Sequence, residues 1–159
     1  MIFSKPQNIY VIDAEFIDTP SDSELISFGI VHEEGSRYFE FDYDARLITP
    51  WLQENVVPHL SGDKTTLQDA GEEIRRFVPN SPEVEFWALC GAYDFYWLMR
   101  LMGGLMDRPD KWPPMFRELG LYTANVPALP GYPPHHAEND AAATLARILE
   151  IIETARGPG

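Results

Sequence analysis

Asp13 and Glu15 close the apolar run Ile9-Tyr10-Val11-Ile12 and stand two residues apart, so on an extended strand both carboxylates share one face. Asp94 opens an otherwise apolar helical stretch, and Asp140 stands near the start of the C-terminal amphipathic stretch. Each has an ordinary structural account. Asp-x-Glu is common at strand ends, Asp caps helices, and Asp near a helix start meets the macrodipole favourably. Taken together they read differently, because carboxylates at strand ends and helix starts of an α/β sheet can converge at one sheet edge. Four carboxylates so placed repel one another unless cations neutralise them. Hard oxygen donors suit Mg²⁺ or Mn²⁺ rather than zinc. Two such ions, roughly 3.5–4 Å apart, clamp an in-line displacement at a phosphodiester, one activating water and the other stabilising the leaving oxygen. His135 stands five residues before Asp140 in His135-His136-Ala137-Glu138-Asn139-Asp140. An imidazole is suited to accept a proton from such a water near neutral pH. Phe16, next to Glu15, is a candidate for stacking on a base and equally a candidate core residue.

The elements that must position these groups follow from periodicity. Ile9–Phe16, Leu25–Val31 and Arg37–Tyr43 read as strands joined by short polar links, an antiparallel meander. Thr49-Pro50 predicts a short helix toward Val57 with proline in its first turn. Thr65 with Gln68 fits a capping box for a helix carrying Leu67, Ala70, Ile74, Phe77 and Val78 on one face. Val84–Cys90 reads as a buried strand with Cys90 as a small apolar residue, and Asp94–Met102 as a helix buried almost all round. Half of the chain's 14 prolines fall between 103 and 134, a segment that reads as a lid or binding loop with one short element near Phe116–Tyr122. Ala141, Leu145, Ile148, Leu149 and Ile152 line a final helix starting near Asp140 or shortly before it. Residues 156–159 read as a frayed tail. The order is β-β-β-α-α-β-α-loop-α, an α/β fold with a mixed sheet, and 159 residues predict one domain spanning 1–159.

Composition bounds the partners. Twelve Lys and Arg against 25 Asp and Glu leave a net charge of −13, which argues against a protein that holds nucleic acid mainly through a basic surface. An enzyme whose bound cations supply the positive charge stays open. Arg100, Arg108, Lys111 and Arg117 flank the proline-rich segment as candidates for phosphate contact. One cysteine excludes an intramolecular disulfide and a cysteine zinc cluster. No apolar run is long enough to cross a bilayer. The start MIFSKPQN lacks the apolar core of a signal peptide, so the expected location is cytoplasmic. Trp51, Trp87, Trp97 and Trp112 read as core or lid packing, and His32 and His59 receive no role.

Asp13-Ala14-Glu15, then Asp94 within Gly91-Ala92-Tyr93-Asp94, then the H-x-A-x-x-D element carrying His135 and Asp140 resemble, in that order, the motifs of the DEDDh 3′-to-5′ exonucleases of the ribonuclease H-like superfamily. The likeness runs from residue 9 to about 153. More narrowly, Asp-Ala-Glu-Phe, Glu24–Val31 and Trp87 ahead of Gly-Ala-Tyr-Asp resemble the small polyadenylate-specific exoribonucleases of the ribonuclease AS group. The family spacing selects His135 as general base, with His136 one residue off as the alternative. After the first motif this chain has Phe16-Ile17 where the family has Thr-Gly. The resemblance implies a ribonuclease H-like fold with a five-stranded mixed sheet flanked by helices. It implies two divalent cations, Mg²⁺ or Mn²⁺, held by Asp13, Glu15, Asp94 and Asp140. The implied substrate is the 3′ end of single-stranded RNA, with adenylate preferred and nucleoside 5′-monophosphates released. A DNA exonuclease of the same chemistry is the first alternative, and a non-catalytic acidic interaction protein the second. The aromatic helix and the long loop leave room for a homodimer interface.

Overall fold

A computed structural model describes residues 6–21, 23–123 and 125–156. The strand β1 (Ile9–Asp18) is the axis of the sheet. β2 (Ser23–His32) pairs with it antiparallel, and β3 (Gly35–Glu40) pairs antiparallel with β2, which makes the expected meander. The chain then forms α1 (Pro50–Asn55) and α2 (Leu67–Phe77) before β4 (Glu85–Ala88) enters parallel to β1 on its other side. α3 (Ala92–Leu101) leads toward β5 (Arg117–Glu118), parallel to β4, and α4 (Ala137–Arg156) closes the fold. The five strands lie in the order β3-β2-β1-β4-β5, so the sheet is mixed.

The residues of β1 alternate between two cores, as the two-residue period of a strand requires. Tyr10, Ile12 and Ala14 pack with Ala70 and Ile74 of α2 and with Trp97, Leu98 and Leu101 of α3. Ile9 and Val11 pack with Ala141, Leu145, Ile148 and Ile152 of α4. Asp13 and Glu15 continue the Ile9–Val11 row and therefore point to the α4 side. The ladder with β2 shifts between Glu15 and Phe16. Beyond that bulge, Ile17 and Ile26 join Leu52 and Val56 in a third, smaller core under α1.

Several local expectations are corrected. The cap of α2 is Thr66, not Thr65. Its Oγ1 accepts from the Asp69 N–H at 3.0 Å and donates to the Asp69 carboxylate at 2.8 Å. Thr65 is unavailable because its N–H donates to the Glu40 carbonyl at 2.8 Å, which keeps residues 64–65 extended beside β3. α3 begins at Ala92 with Gly91 at its cap position, so Asp94 lies in the first turn rather than capping the helix. That helix is not buried all round, since Tyr93 and Tyr96 face solvent. Cys90 is exposed, because β4 ends two residues earlier at Ala88. Trp51 is exposed rather than packed. β3 stops at Glu40, short of Tyr43, whereas α4 starts at Ala137, shortly before Asp140 as expected. Arg156 is the last residue of α4, and 157–159, like the N-terminal 1–5, lie outside the described residues.

The proline-rich segment carries two short 3-10 turns and β5. Its first part is pinned by Trp112, buried in the main core with its indole N–H donating to the Pro79 carbonyl at 2.9 Å. Its last part leads into α4. No helix among the described residues is long and apolar enough to cross a membrane.

Gly29 decides how closely α4 approaches the sheet. It pairs with Asp13 in the β1–β2 ladder, and a Cβ there would lie 2.6 Å from the backbone carbon of Ala137 and the nitrogen of Glu138. Both are backbone atoms and cannot rotate away. Gly29→Ala is expected to destabilise the protein by about 1–3 kcal/mol, the usual cost of overpacking. The measurement is a shift of the denaturation midpoint at an unchanged slope.

Candidate active site

The β1–β4 pairing ends at Val11–Trp87, so the carboxyl half of β1 has no parallel neighbour. The Ala14 N–H in that gap donates to Asp94 Oδ1 at 3.0 Å, which ties the first turn of α3 to the strand between the two acids of Asp13-Ala14-Glu15. From the opposite side the start of α4 seats over Gly29 and brings Asp140 in. Asp140 accepts the His135 backbone N–H at 2.9 Å, closing the turn ahead of the helix. Donor atoms of Glu15, His135 and Asp140 lie within 4.8 Å of one another. A cleft of about 200 Å³ opens here, with Asp13, His135, Asp140, Val126 and Pro134 among its walls. The site thus lies along the carboxyl half of β1 and beyond the carboxyl end of β4, near where open α/β sheets place their ligands.

Electrostatics binds the four acids into one unit. Burial, then the charges of Asp94, Glu15 and Asp140, drive the Asp13 carboxyl well above the usual carboxylate range. Burial, then Asp140 and Asp94, push Glu15 up to about 8. Burial raises Asp94 to about 7 despite the Ala14 N–H, and Glu118 adds to the rise. Burial raises Asp140 as well, against the opposing pull of the His135 N–H and ring. The ion pairs of the described residues, such as Arg117–Glu85 and Arg37–Glu73, lie elsewhere.

The two adjacent histidines part company. His135 has φ of 60°, the left-handed region in which histidine is over-represented among non-glycine residues. This turn sends its ring to the carboxylates. The His136 ring instead stacks on Tyr38 of β3, with centroids 4.2 Å apart and 22° between planes. Burial lowers its pKa. The register with His135 facing the acids is therefore the one adopted.

No family model matches the chain. Two curated proteins named 3′-5′ exoribonuclease, from two strains of Mycobacterium tuberculosis, are each 31% identical to it over 157 residues, covering 91% of this chain and 94% of the relative. The chain belongs to the 3′-5′ exoribonuclease family. It is an enzyme of that class, and the acidic cluster is its candidate active site.

Divalent cations fit the donor set of this exoribonuclease. The acids are hard oxygen donors, their proton affinities are raised by burial and, at Asp13 and Glu15, by the neighbouring carboxylates, and a bound cation would relieve both. Phe16 is only partly available, since its ring stacks on Tyr93 at 4.6 Å and 21° and packs against the main core. Of the four basic candidates, Arg117 pairs with Glu85 at 3.0 Å and Arg108 donates to the Trp112 carbonyl at 3.1 Å. Arg100 sits at the end of α3 away from Asp94. Sequence reading missed Trp51, whose ring meets His135 at 4.9 Å and 76°. A signal for it exists: Leu52 and Val56 define the buried stripe of α1, and Trp51 falls outside that stripe.

The raised carboxyl groups make a pH prediction for the cation-free enzyme. A carboxyl whose folded-state pKa exceeds its unfolded value binds more protons when folded. Its deprotonation therefore opposes folding, and stability falls as pH rises between the two values. For Glu15 and Asp94 that window runs from about 4 up to about 7–8. In chelator, the melting temperature is expected to fall from pH 5 to pH 8, and Asp13→Asn should flatten the slope. Added Mg²⁺ or Mn²⁺ should stabilise the protein more at pH 8 than at pH 5, because protons compete for the same oxygens.

Proposed function

We propose that the chain is a divalent-cation-dependent 3′-to-5′ exoribonuclease that trims single-stranded RNA from its 3′ end and prefers adenylate. The observation that carries this reading is the convergence of Asp13, Glu15, Asp94 and Asp140 on one another, with His135 at the same opening. In this reading the four acids hold two Mg²⁺ or Mn²⁺ ions. When bound, these supply Lewis-acid activation of the attacking water and neutralise charge gathering on the phosphate. His135 accepts the proton of that water as the new P–O bond forms. Cleavage of the P–O3′ bond releases a nucleoside 5′-monophosphate, and the 3′-oxygen left on the RNA takes up a proton. Asp140 holds the backbone of His135 in the turn that aims the ring.

The relatives' activity supports RNA as substrate, and the small volume of the cleft, about 200 Å³, supports a single-stranded end over a duplex. Adenylate preference rests on the resemblance of Asp-Ala-Glu-Phe and its companion segments to the polyadenylate-specific group.

With Mn²⁺, a 5′-labelled RNA should shorten stepwise from its 3′ end, an adenylate homopolymer fastest, while a DNA oligomer of the same sequence lags. A discrete internal cut would overturn the exonuclease reading. His135→Ala should lower turnover by about 10²–10⁴-fold, the usual contribution of a general base, while cation-induced stabilisation persists. Asp140→Ala should lose both. His136→Ala should leave turnover close to wild type and lower the melting temperature through the lost stack on Tyr38.

A further inference from the structure

Asp94 is the third residue of α3, counted from Gly91 at the cap position. In a capping box, an acidic side chain at that position reaches back to the N–H of the cap residue. Here it does not. The Gly91 N–H donates instead to Glu118 Oε1 at 3.0 Å, a partner 27 residues on. Asp94 Oδ1 is left to accept from the Ala14 N–H of β1 at 3.0 Å. Gly91 supplies no cap of its own, and a larger residue would not fit: a Cβ there would lie 2.7 Å from the Ala88 Cβ and 2.7 Å from the Phe116 ring. The sheet delivers Glu118 to this turn. It pairs with Ala88 at the end of β4, and the Gly120 N–H donates to the Leu89 carbonyl at 2.9 Å. The proline-rich segment thus holds the turn between β4 and α3 at Ala88, Leu89 and Gly91.

We propose that Glu118 is a positioning residue for Asp94: it takes the cap N–H of α3 and so keeps the Asp94 carboxylate turned to β1 and available to a divalent cation. The inference rests on the cation-dependent reading above. Two acids compete for one donor. A part-buried N–H without an acceptor is costly, so loss of Glu118 leaves Asp94 as the acid placed to supply one. Asp94 would then give up the Ala14 N–H and turn away from the cluster. The two acids stand close together, since the charge of Glu118 is felt at Asp94, and the helix macrodipole favours either of them at this end. Outer partners of this kind set the geometry of a metal-ligating side chain without touching the metal.

The test compares wild type, Glu118→Ala and Glu118→Gln. Melting temperatures are measured in chelator and then across a Mn²⁺ titration. In chelator, Glu118→Ala should melt near wild type, because the Asp94 carboxylate closes the same cap from within the helix. Its Mn²⁺ midpoint should rise by about 10- to 100-fold, the usual cost of losing an outer partner of a metal ligand. Turnover of RNA should fall at limiting Mn²⁺ and recover at saturating Mn²⁺. Glu118→Gln keeps an oxygen acceptor for the Gly91 N–H and should hold the midpoint near wild type. An unchanged midpoint in Glu118→Ala would overturn the proposal and leave Glu118 a structural cap only. A loss in Glu118→Gln equal to that in Glu118→Ala would overturn it too, because charge rather than the bond to Gly91 would then matter. A second measurement needs no cation. With Asp94→Ala added to Glu118→Ala, the cap N–H loses both acceptors, so the melting temperature in chelator should drop by more than the two single changes together. Additive changes would overturn the exchange of acceptors. If wild type itself gains no stability from Mn²⁺, the cation-dependent reading fails, while the cation-free comparison still judges the capping role.

Discussion

Four buried carboxylates, of which Asp13 and Glu15 are raised further by the charges of the others, stay together only where a scaffold prevents their separation, and that burden sets the requirements on everything around them. β1 meets the requirement by being buried on both faces, with α2 and α3 packed on one side and α4 on the other. Backbone donors hold the incoming acids, Ala14 N–H on Asp94 and His135 N–H on Asp140, and burial still outweighs them. Glu40 shows the opposite balance. Burial raises its carboxyl too, yet the Ser61 and Gly62 N–H groups and the Tyr38 hydroxyl outweigh it and bring its pKa below the usual value. A buried carboxylate whose donors stabilise its charge is part of the architecture. A cluster whose members stay strained is a candidate ion or proton site.

The strain is concentrated where three elements end. β4 stops early, and the gap it leaves admits Asp94. α4 reaches the sheet only because residue 29 has no side chain. The turn before α4 runs through a left-handed histidine, held by Asp140 on one flank and by the His136–Tyr38 stack on the other. Small displacements of α4 would move two members of the site at once. This couples the packing of its apolar face, Ala141 to Ile152, to the geometry of the chemistry.

The overall negative charge has a consequence for the substrate. A net charge of −13 offers RNA little long-range attraction, and aromatic rings rather than basic side chains stand at the rim of the cluster. Trp51 beside His135 and the Phe16–Tyr93 pair next to Glu15 flank the opening. Both depend on β1: α1 rests on Ile17, and Tyr93 rests on Phe16 and reaches Asp18 with its hydroxyl at 3.3 Å.

Local order alone determined the meander, the capped α1, the apolar stripe of α4 and the acidic motifs with their spacing, because each is a pattern within a few residues that periodicity or capping chemistry expresses directly. The spacing of His135 to Asp140 stood in the sequence, while the choice of His135 over His136 as the ring facing the acids came only with the turn before α4. Only the tertiary structure decided that Asp13, Glu15, Asp94 and Asp140 meet, since their separation in sequence says nothing of which strand lies beside β1. It also decided that Thr66 rather than Thr65 caps α2, because a bond to Glu40 from across the chain claims Thr65. Trp51 and Cys90 lie exposed for a like reason. A side chain's burial depends on where neighbouring elements stop, and the early end of β4 and the roll of α1 on Ile17 and Ile26 are set by packing between segments distant in sequence.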